Sequence, residues 1–408
     1  MGAAWPYSAG VASEAGMTQT HQRRTPLRTR VAHEHAKVSF VELFFDLVFV
    51  FAITQISHAL LEHFSLLGLA QAALLLGAVW WAWVCTSWVT NWLDPDSTPV
   101  RLMLFVLMFV GLVLTTSLPG AFEGLGLIFA CAYVAMQLGR SVFTLISLRG
   151  RSPANYRNFQ RICLWFALSG VFWIIGGLAD GSLRFGFWAL ALALEYGSPW
   201  IGFRVPGLGR SSTAEWDIEG AHLAERCALF IIIALGESVL VTGATASKLA
   251  ATLPNSLAFG NAFLSSVAMW WLYFHVGAER GSQRISTADD PGSLARSAYT
   301  LIPLPLVAGI ILVAVGDEFV LAHPTGHTEL KVAIAVIAGP IFYVIGNLLF
   351  KKVTAGWYPL SHLVGLGLLA LWAPTAAILP PLALSIGATL ILVLVAAWET
   401  LSLRPKEA

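Results

Sequence analysis

Twelve long apolar stretches constrain this chain more than any other feature of its sequence. They begin near residues 38, 66, 100, 124, 158, 182, 221, 257, 295, 328, 357 and 381, and each approaches the roughly 20 residues that a helix needs to cross about 30 Å of hydrocarbon. Only 12% of the residues are charged, whereas a soluble domain carries about 25%. The sequence therefore predicts an all-α integral membrane protein with about twelve transmembrane helices.

The Lys and Arg residues test this count and indicate an orientation. With twelve spans, eighteen of the 24 Lys and Arg residues fall on the side of the two termini and three fall on the opposite side. The other three lie inside or at the edge of spans, and they are Arg140, Arg161 and Arg226. Because cytoplasmic loops carry the excess of positive charge, we expect both termini in the cytoplasm. The net charge of +1 gives no field that would favour nucleic acid as a partner.

Landmarks of the first half of the chain recur in the second half in the same order. Glu42 is the second residue of VELFF, and Glu225, 183 residues later, is the second residue of AERCA. The next span carries a tandem tryptophan in both halves, in WWAWV and WWLYF. Six spans per half predict a parallel internal repeat, as in some transporters. We predict a disordered cytoplasmic tail, a six-helix half, a cytoplasmic linker, a second six-helix half and a short cytoplasmic tail, at residues 1–36, 37–203, 204–220, 221–402 and 403–408.

Other sequence signals are negative. The four cysteines lie in apolar spans without metal-ligand spacing, so we interpret Cys85, Cys131, Cys163 and Cys227 as small buried hydrophobes. Residues 1–36 lack the apolar core of a signal peptide. The sequence has no P-loop, dinucleotide fingerprint, HExxH motif or nucleophile elbow, so it does not support the common soluble chemistries.

Five acidic residues lie within apolar stretches, where an ionised group costs at least a few kcal/mol. They are Glu42, Asp46, Glu195, Glu225 and Glu237. Acids at such depth are candidates for proton or ligand binding.

Glu42 and Asp46 are four residues apart, so they share one helix face. Two acids this close favour a nearby cation or a bound proton. If the repeat holds, His222, Glu225 and Arg226 lie at the same depth, and Arg226 is expected to pair with Asp46 or Glu42. Two interpretations fit: a proton- or ligand-binding site between the halves, or an ion-pair network that fastens them together.

Further polar and aromatic side chains are candidates for a polar cavity. Glu237 lies deep in the seventh span between the small residues of LGES, which permit close approach of a neighbour. Glu195 and Gln55 also need partners in hydrocarbon. Aromatic side chains of the second and eighth spans could line a cavity for a cation or an extended apolar ligand. The candidate lining residues are Trp81, Trp271, Tyr273 and His275. For His275, interfacial anchoring is the alternative role.

Several motifs resemble the bacterial low temperature requirement A family. VSFVELFFDLVFVFAITQISH, NWLDPDSTPVRL, HLAERCALFIIIALGES, WWLYF and PLVAGIILVAVGDE occur in order across about residues 36 to 365. The resemblance implies a multi-pass protein of the bacterial cytoplasmic membrane, but no particular chemistry, because the family is named for a growth phenotype in the cold. The family's characteristic polar residues fall on Glu42, Asp46, Arg101, Glu225, Arg226 and Glu237.

The chain departs from the family pattern at two positions. His275 stands where the family usually has an acid in WWxYFD, and Pro303 stands where it usually has a histidine before LPLVAGI. Either a specialised substrate or neutral drift would explain why the family's usual acid and histidine are replaced at these two positions.

Three functions fit the sequence. The first is a transporter or permease-like protein in which Asp46 and Glu237 carry protons or a cation. The second is an intramembrane enzyme for a lipid-like or isoprenoid substrate, in which one of these two acids donates the proton that starts a cyclisation or prenyl transfer. The third is a non-catalytic protein whose buried charges specify packing. The expected partners are the bilayer and a small-molecule or lipid-like substrate.

A magnesium ion is expected only under the enzyme interpretation. Asn91, Asp94 and Asp96 have a spacing that would suit Mg²⁺ and a diphosphate. The same NWLDPDSTP segment also fits a Pro-containing turn before a helix. No other cofactor is evident.

Overall fold

Helices make up most of the described chain. The computed structural model describes residues 26–28, 37–212, 216, 218–275 and 277–402, and within these ranges the β-structure consists of two isolated bridges. The first six helices are α1 (Phe40–Glu62), α2 (Leu66–Trp92), α3 (Thr98–Ser117), α4 (Gly126–Leu148), α5 (Pro153–Leu178) and α6 (Gly181–Gly197).

The second part of the chain adds eight helices, two of them short. They are α7 (Gly220–Ala246), α8 (Leu253–Phe274), α9 (Gly277–Ser286), α10 (Pro291–Leu294), α11 (Pro303–Ala322), α12 (Leu330–Ala355), α13 (Leu360–Trp372) and α14 (Pro381–Ser402). A π-helical segment, Ala295–Leu301, joins α10 to α11, and a 3₁₀ turn, Ala373–Ala377, follows α13. Residues 291–322 therefore form one continuous span.

The predicted all-α membrane architecture is confirmed. Among the described residues, eleven helical spans are long and apolar enough to cross a bilayer. The remaining predicted span is α6, whose 17 residues are at the lower end of the roughly 17–25 that can cross. Two helices begin before their apolar stretches, α5 at Pro153 and α8 at Leu253. Each has a proline in its first turn, where the missing N–H costs no helical hydrogen bond.

The two six-helix halves pack their helices in the same pattern. In the first half, α2 contacts α1, α4 and α6, while α3 connects α1 with α4 and α5 lies between α4 and α6. In the second half, α8 contacts α7, α12 and α14, while α11 connects α7 with α12 and α13 lies between α12 and α14. This correspondence supports the internal repeat, which remains a prediction. The halves meet where α1 packs against α7 and α11.

Small residues allow α11 and α12 to approach closely. A Cβ atom added to Gly309 would lie 2.6 Å from the Tyr343 nitrogen, and one added to Gly339 would lie 2.7 Å from the Val313 nitrogen. Both distances are far shorter than van der Waals contact, so the two backbones touch. Close backbone packing of this kind drives helix association in bilayers, where the hydrophobic effect between helices is absent.

Gly309→Ala is expected to destabilise the fold, because its methyl group would collide with the α12 backbone and overpacking costs about 1–3 kcal/mol. The measurement is the midpoint of thermal unfolding in detergent, followed by fluorescence-detected size exclusion. Gly260→Ala on α8 is the matched control, since its Cβ would meet nothing within 4 Å. Equal midpoints for the two variants would contradict the close α11–α12 contact.

Candidate functional site

A buried guanidinium on α7 joins two carboxylates on α1. Arg226 Nη1 donates to Glu42 Oε1 at 2.9 Å, and Arg226 Nη2 donates to Asp46 Oδ1 at 2.5 Å. All three side chains are 0% exposed. Arg226 therefore pairs with both acids, which it reaches together because residues four apart share one helix face.

The start of α1 fixes the position of Glu42. Ser39 is the N-cap, and its hydroxyl accepts a hydrogen bond from the Glu42 backbone N–H. Glu42 Oε2 in turn accepts from the Ser39 backbone N–H at 2.9 Å. This capping box orients the carboxylate so that its other oxygen, Oε1, meets α7.

His222 adds an imidazole that contacts Asn91, Glu42 and Arg28. Asn91 Nδ2 donates to the Glu219 carbonyl at 2.8 Å and Asn91 Oδ1 accepts from the Glu219 N–H at 2.7 Å, which sets the orientation of the amide. The same Nδ2 lies 3.3 Å from His222 Nδ1, so Nδ1 is the acceptor. His222 Nε2 lies 3.1 Å from Glu42 Oε1 and 3.2 Å from Arg28 Nη2, so it contacts an acceptor and a donor. Arg28 adds a second guanidinium 3.9 Å from Glu42 Oε2.

Asp46 is held on one oxygen only. Trp83 Nε1 donates to Asp46 Oδ1 at 2.7 Å, and the Arg226 guanidinium lies 5.7 Å from the centre of the Trp83 ring. Asp46 Oδ2 is buried and has no hydrogen-bond partner among the described residues. A proton can bind to this oxygen without breaking an existing hydrogen bond. We call Glu42, Asp46, His222 and Arg226, with Arg28, the charge cluster.

An aromatic cavity lies between α2, α4, α5, the segment that follows α6 and the π-helical segment. Four tryptophans and three phenylalanines line it, together with Arg140 of α4 and Arg296 of the π-helical segment. The space open to the centres of water molecules is about 80 Å³, several times the roughly 10–15 Å³ that one water needs. The lining residues include no Asp or Glu. The cavity is therefore apolar and positively charged.

Contacts between indole side chains connect the charge cluster with the aromatic cavity. Trp83, which binds Asp46, packs against Trp80 with ring centres 4.9 Å apart. Trp80 Nε1 donates to the Thr300 carbonyl at 2.6 Å, and Trp88 Nε1 donates to Thr300 Oγ1 at 2.9 Å. Because Thr300 lines the cavity, Trp83 and Trp80 form two layers of packed side chains between Asp46 and the cavity wall.

Glu195 forms a separate cluster within the first half. Its carboxylate accepts from Tyr133 at 2.5 Å, Ser169 at 2.7 Å, Trp173 at 2.9 Å and Gln137 at 3.2 Å. All these groups are buried. Four donors satisfy the carboxylate, so this cluster holds α4, α5 and α6 together rather than leaving an oxygen open to a ligand.

A third cluster, in the second half, was not found from the sequence. Lys351 on α12 donates to Glu399 on α14 at 2.6 Å and to the Leu272 carbonyl at 3.0 Å. His362 Nε2 of α13 lies 3.2 Å from the Lys351 ammonium. Lys351 and Glu399 are near the ends of their spans, where sequence reasoning assigns charges to the membrane surface. Buried polar side chains thus link α4 with α6 in the first half and α12 with α14 in the second half.

Two predicted site residues on α7 are not part of the charge cluster as described. Glu225 is exposed, and within the described part of the chain its Oε2 accepts from the Val38 N–H at 3.3 Å. Neighbouring residues on a helix point about 100° apart, so the burial of Arg226 turns Glu225 outward. Glu237 lies on α7, but its side chain is outside the described part of the structure.

The other predicted residues occupy three further places. Trp81 lines the aromatic cavity. Gln55 faces a small pocket near the opposite end of α1. Trp271 is 39% exposed and donates to Thr400 at 2.9 Å, and exposed His275 stacks on it with ring centres 4.7 Å apart. This pair lies on the outer surface, away from the cavity.

Tyr273 is buried and packs against Phe350 in the second half, with ring centres 5.5 Å apart. It does not line the aromatic cavity.

The loop after α2 uses its acids locally. Asp94 Oδ1 accepts from the Asp96 N–H at 3.0 Å, and Asp96 pairs with Arg101 at 3.4 Å. Asn91, the third proposed ligand, is buried and bound to Glu219 instead. Within the described ranges there is no group of three or more metal-binding side chains. A magnesium site here therefore remains only a prediction under the enzyme interpretation.

Sequence reasoning did not identify Trp83 and Asn91 as hydrogen-bond partners of the charge cluster. Both lie on α2, which carries no acid of its own within the helix. Their chemistry could have indicated this role. A buried indole N–H or carboxamide needs a hydrogen-bond partner, and the first span contains buried acids that also need partners.

Comparison with known proteins agrees with the motifs. The family model described as bacterial low temperature requirement A protein matches residues 37–397. The chain belongs to this family. An uncharacterized protein of Rhizobium meliloti (strain 1021) is 43% identical over 373 residues, covering 91% of each chain. No solved structure matches the chain. With its apolar helices, this low temperature requirement A protein is a multi-pass membrane protein.

Pro303, one of the departures from the family pattern, lies at the junction of the π-helical segment and α11. A proline has no N–H to offer the carbonyl four residues earlier, which is that of Tyr299. The Tyr299 carbonyl instead accepts from Cys227 Sγ at 3.3 Å. Pro303 thus fits a local departure from α-helix beside the aromatic cavity.

Arg226→Gln is expected to destabilise the protein strongly, since removing one partner of a buried ion pair costs about 3–5 kcal/mol. The triple variant Arg226→Gln, Glu42→Gln, Asp46→Asn should regain part of the loss because it leaves no unpaired charge. The measurement is the free energy of unfolding in mixed micelles.

Arg101→Gln serves as the control for this loss. Arg101 and Asp96 form a partly exposed pair, which is worth at most about 1 kcal/mol. An Arg226 variant as stable as the Arg101 variant would mean that the charge cluster does not hold α1 to α7.

Proposed function

We propose that this protein is a proton-coupled transporter or permease-like protein of the bacterial cytoplasmic membrane, with both termini in the cytoplasm. The observation that carries the proposal is the buried link from Arg226 on α7 to Glu42 and Asp46 on α1. It joins the first helix of one six-helix half to the first helix of the other. In repeat-built transporters, substrate and ion sites lie at such an interface.

The charge cluster has the groups that a proton-coupled interface needs. With both acids ionised, Arg226 is bound to both of them. A proton on Asp46 Oδ2 would neutralise that acid and leave Arg226 with Glu42 alone, which weakens the attraction between α1 and α7. Because proton binding differs between the joined and the loosened arrangement, proton concentration shifts their populations.

The aromatic cavity supplies a place for a substrate at the same interface. Its walls come from α2, α4, α5 and the segment that follows α6, and from Arg296 and Thr300 of the second half. Relative movement of the halves would therefore change the cavity. The Trp83–Trp80–Thr300 contacts described above provide a physical route between proton binding and the cavity.

The geometry favours transport over the enzyme interpretation. Acid-initiated cyclisation needs a proton donor next to the bound alkene. The aromatic cavity has no carboxylic acid in its lining, and Asp46 is separated from it by Trp83 and Trp80. A cavity with arginines and no acid is suited to holding a substrate rather than protonating it.

The test is untargeted mass spectrometry of cells and medium from strains with the gene deleted, intact, or carrying Asp46→Asn at matched protein levels. We expect at least one compound to move between cells and medium on deletion, and Asp46→Asn to reproduce that movement. Glu225→Gln, an exposed acid on the partner helix, should behave as the intact gene does.

Two results would contradict transport. A compound lost from both cells and medium while a precursor accumulates would indicate bond formation and thus an enzyme. Unchanged distribution of every compound on deletion would leave the transporter proposal without support and favour a packing role for the charges.

A further inference from the structure

Three buried polar atoms that have no hydrogen-bond partner among the described residues belong to side chains that line the aromatic cavity. They are Arg140 Nε, Trp81 Nε1 and Asn158 Oδ1, and the three residues are 1%, 4% and 5% exposed. An unsatisfied buried polar group costs about 1–3 kcal/mol. Two donors and one acceptor in one cavity therefore indicate an occupant with polar groups of its own.

The charge of the lining indicates that the occupant is an anion. The hydrogen bonds of Arg140 go to neutral groups, the Ala82 carbonyl at 3.1 Å, Thr86 Oγ1 at 3.0 Å and Gln137 Oε1. Glu195 lies behind Gln137, which is one of the four donors that already bind its carboxylate. A buried guanidinium without a direct carboxylate partner stabilises an anion placed beside it.

The rest of the cavity indicates the body of the occupant. Seven of the seventeen lining residues are tryptophan or phenylalanine, and such rings bind flat apolar groups through stacked and edge-to-face contacts. The space is small, about 80 Å³ for water centres. One guanidinium N–H and one indole N–H match the two oxygens of a carboxylate, whereas a phosphate carries more charge and more acceptors than these donors satisfy.

We propose that the aromatic cavity binds a small aromatic carboxylate, whose oxygens accept from Arg140 Nε and Trp81 Nε1. A hydroxyl or amino substituent on the ring would donate to Asn158 Oδ1. As the substrate class of the protein, the aromatic acid rests on the proposed transport function. As a ligand of the cavity, it rests on the cavity alone.

The experiment measures equilibrium binding of radiolabelled benzoate to the full-length protein in nanodiscs. Saturable binding is expected, with competition by unlabelled benzoate at least about 10-fold stronger than by benzyl alcohol or benzylamine. A hydrogen bond to a charged group changes binding by about 10- to 100-fold. Arg140→Gln should therefore weaken binding at least about 10-fold. Asn158→Asp should weaken it by a similar factor, because it places a negative charge in the wall that faces the benzoate anion.

Matched variants keep the test independent of folding. Arg149→Gln changes an exposed arginine at the end of the same helix, α4, and should leave the benzoate Kd unchanged. Trp81→Phe keeps an aromatic ring but removes the indole N–H, and should weaken binding about threefold or more. Each variant is compared with the unsubstituted protein by size exclusion and thermal midpoint before binding is measured.

Three results would overturn the proposal: no saturable benzoate binding, equal competition by benzyl alcohol, or an unchanged Kd in folded Asn158→Asp. Without saturable benzoate binding, the cavity would be interpreted as a site for water alone. Benzoate binding without movement of any compound in the strain comparison would keep the site and reject transport. Movement of compounds without benzoate binding would keep transport and reject this substrate class.

Discussion

The neutralisation of Arg226 inside the membrane is the constraint on which the rest of this structure depends. A guanidinium in hydrocarbon is expensive unless acids meet it, and α1 supplies two, at Glu42 and Asp46. This requirement brings α1 against α7 and therefore the two six-helix halves against each other. Trp83 donates a hydrogen bond to Asp46. Trp80 packs against Trp83 and lies between it and Thr300 in the wall of the aromatic cavity.

Much of the fold and part of the site follow from the sequence, because hydrocarbon leaves few choices. Every apolar stretch of sufficient length forms a helix, and helix starts obey local chemistry, as with the Ser39–Glu42 capping box. The pairing of Arg226 with Glu42 and Asp46 follows from the four-residue spacing of the acids and from the high cost of an unpaired charge. These inferences need only the spacing of residues along one helix and the cost of placing a charge in hydrocarbon.

The remaining features depend on which helix faces which, and local sequence does not carry that information. The aromatic cavity combines Trp81, Arg140, Asn158 and Arg296 from four separate segments, and only the packing of α2, α4 and α5 with the π-helical segment brings them together. The repeat drew attention to Glu225, yet the rotation of α7 that buries Arg226 exposes its neighbour. Lys351 and Glu399 were missed for a similar reason, since charges near span ends meet across helices as readily as they face the membrane surface.

Distance measurement between the halves tests the central claim, that protonation of the charge cluster changes how the halves meet. Spin labels at residues 149 and 283, exposed positions in the first and second half, would be placed in a cysteine-free background in nanodiscs. Double electron–electron resonance at pH 5 and pH 8 is expected to give two distance populations whose ratio follows pH. In the Asp46→Asn variant, the ratio should lose most of its dependence on pH. One unchanged distribution at both pH values, in both proteins, would contradict a protonation-controlled interface between α1 and α7.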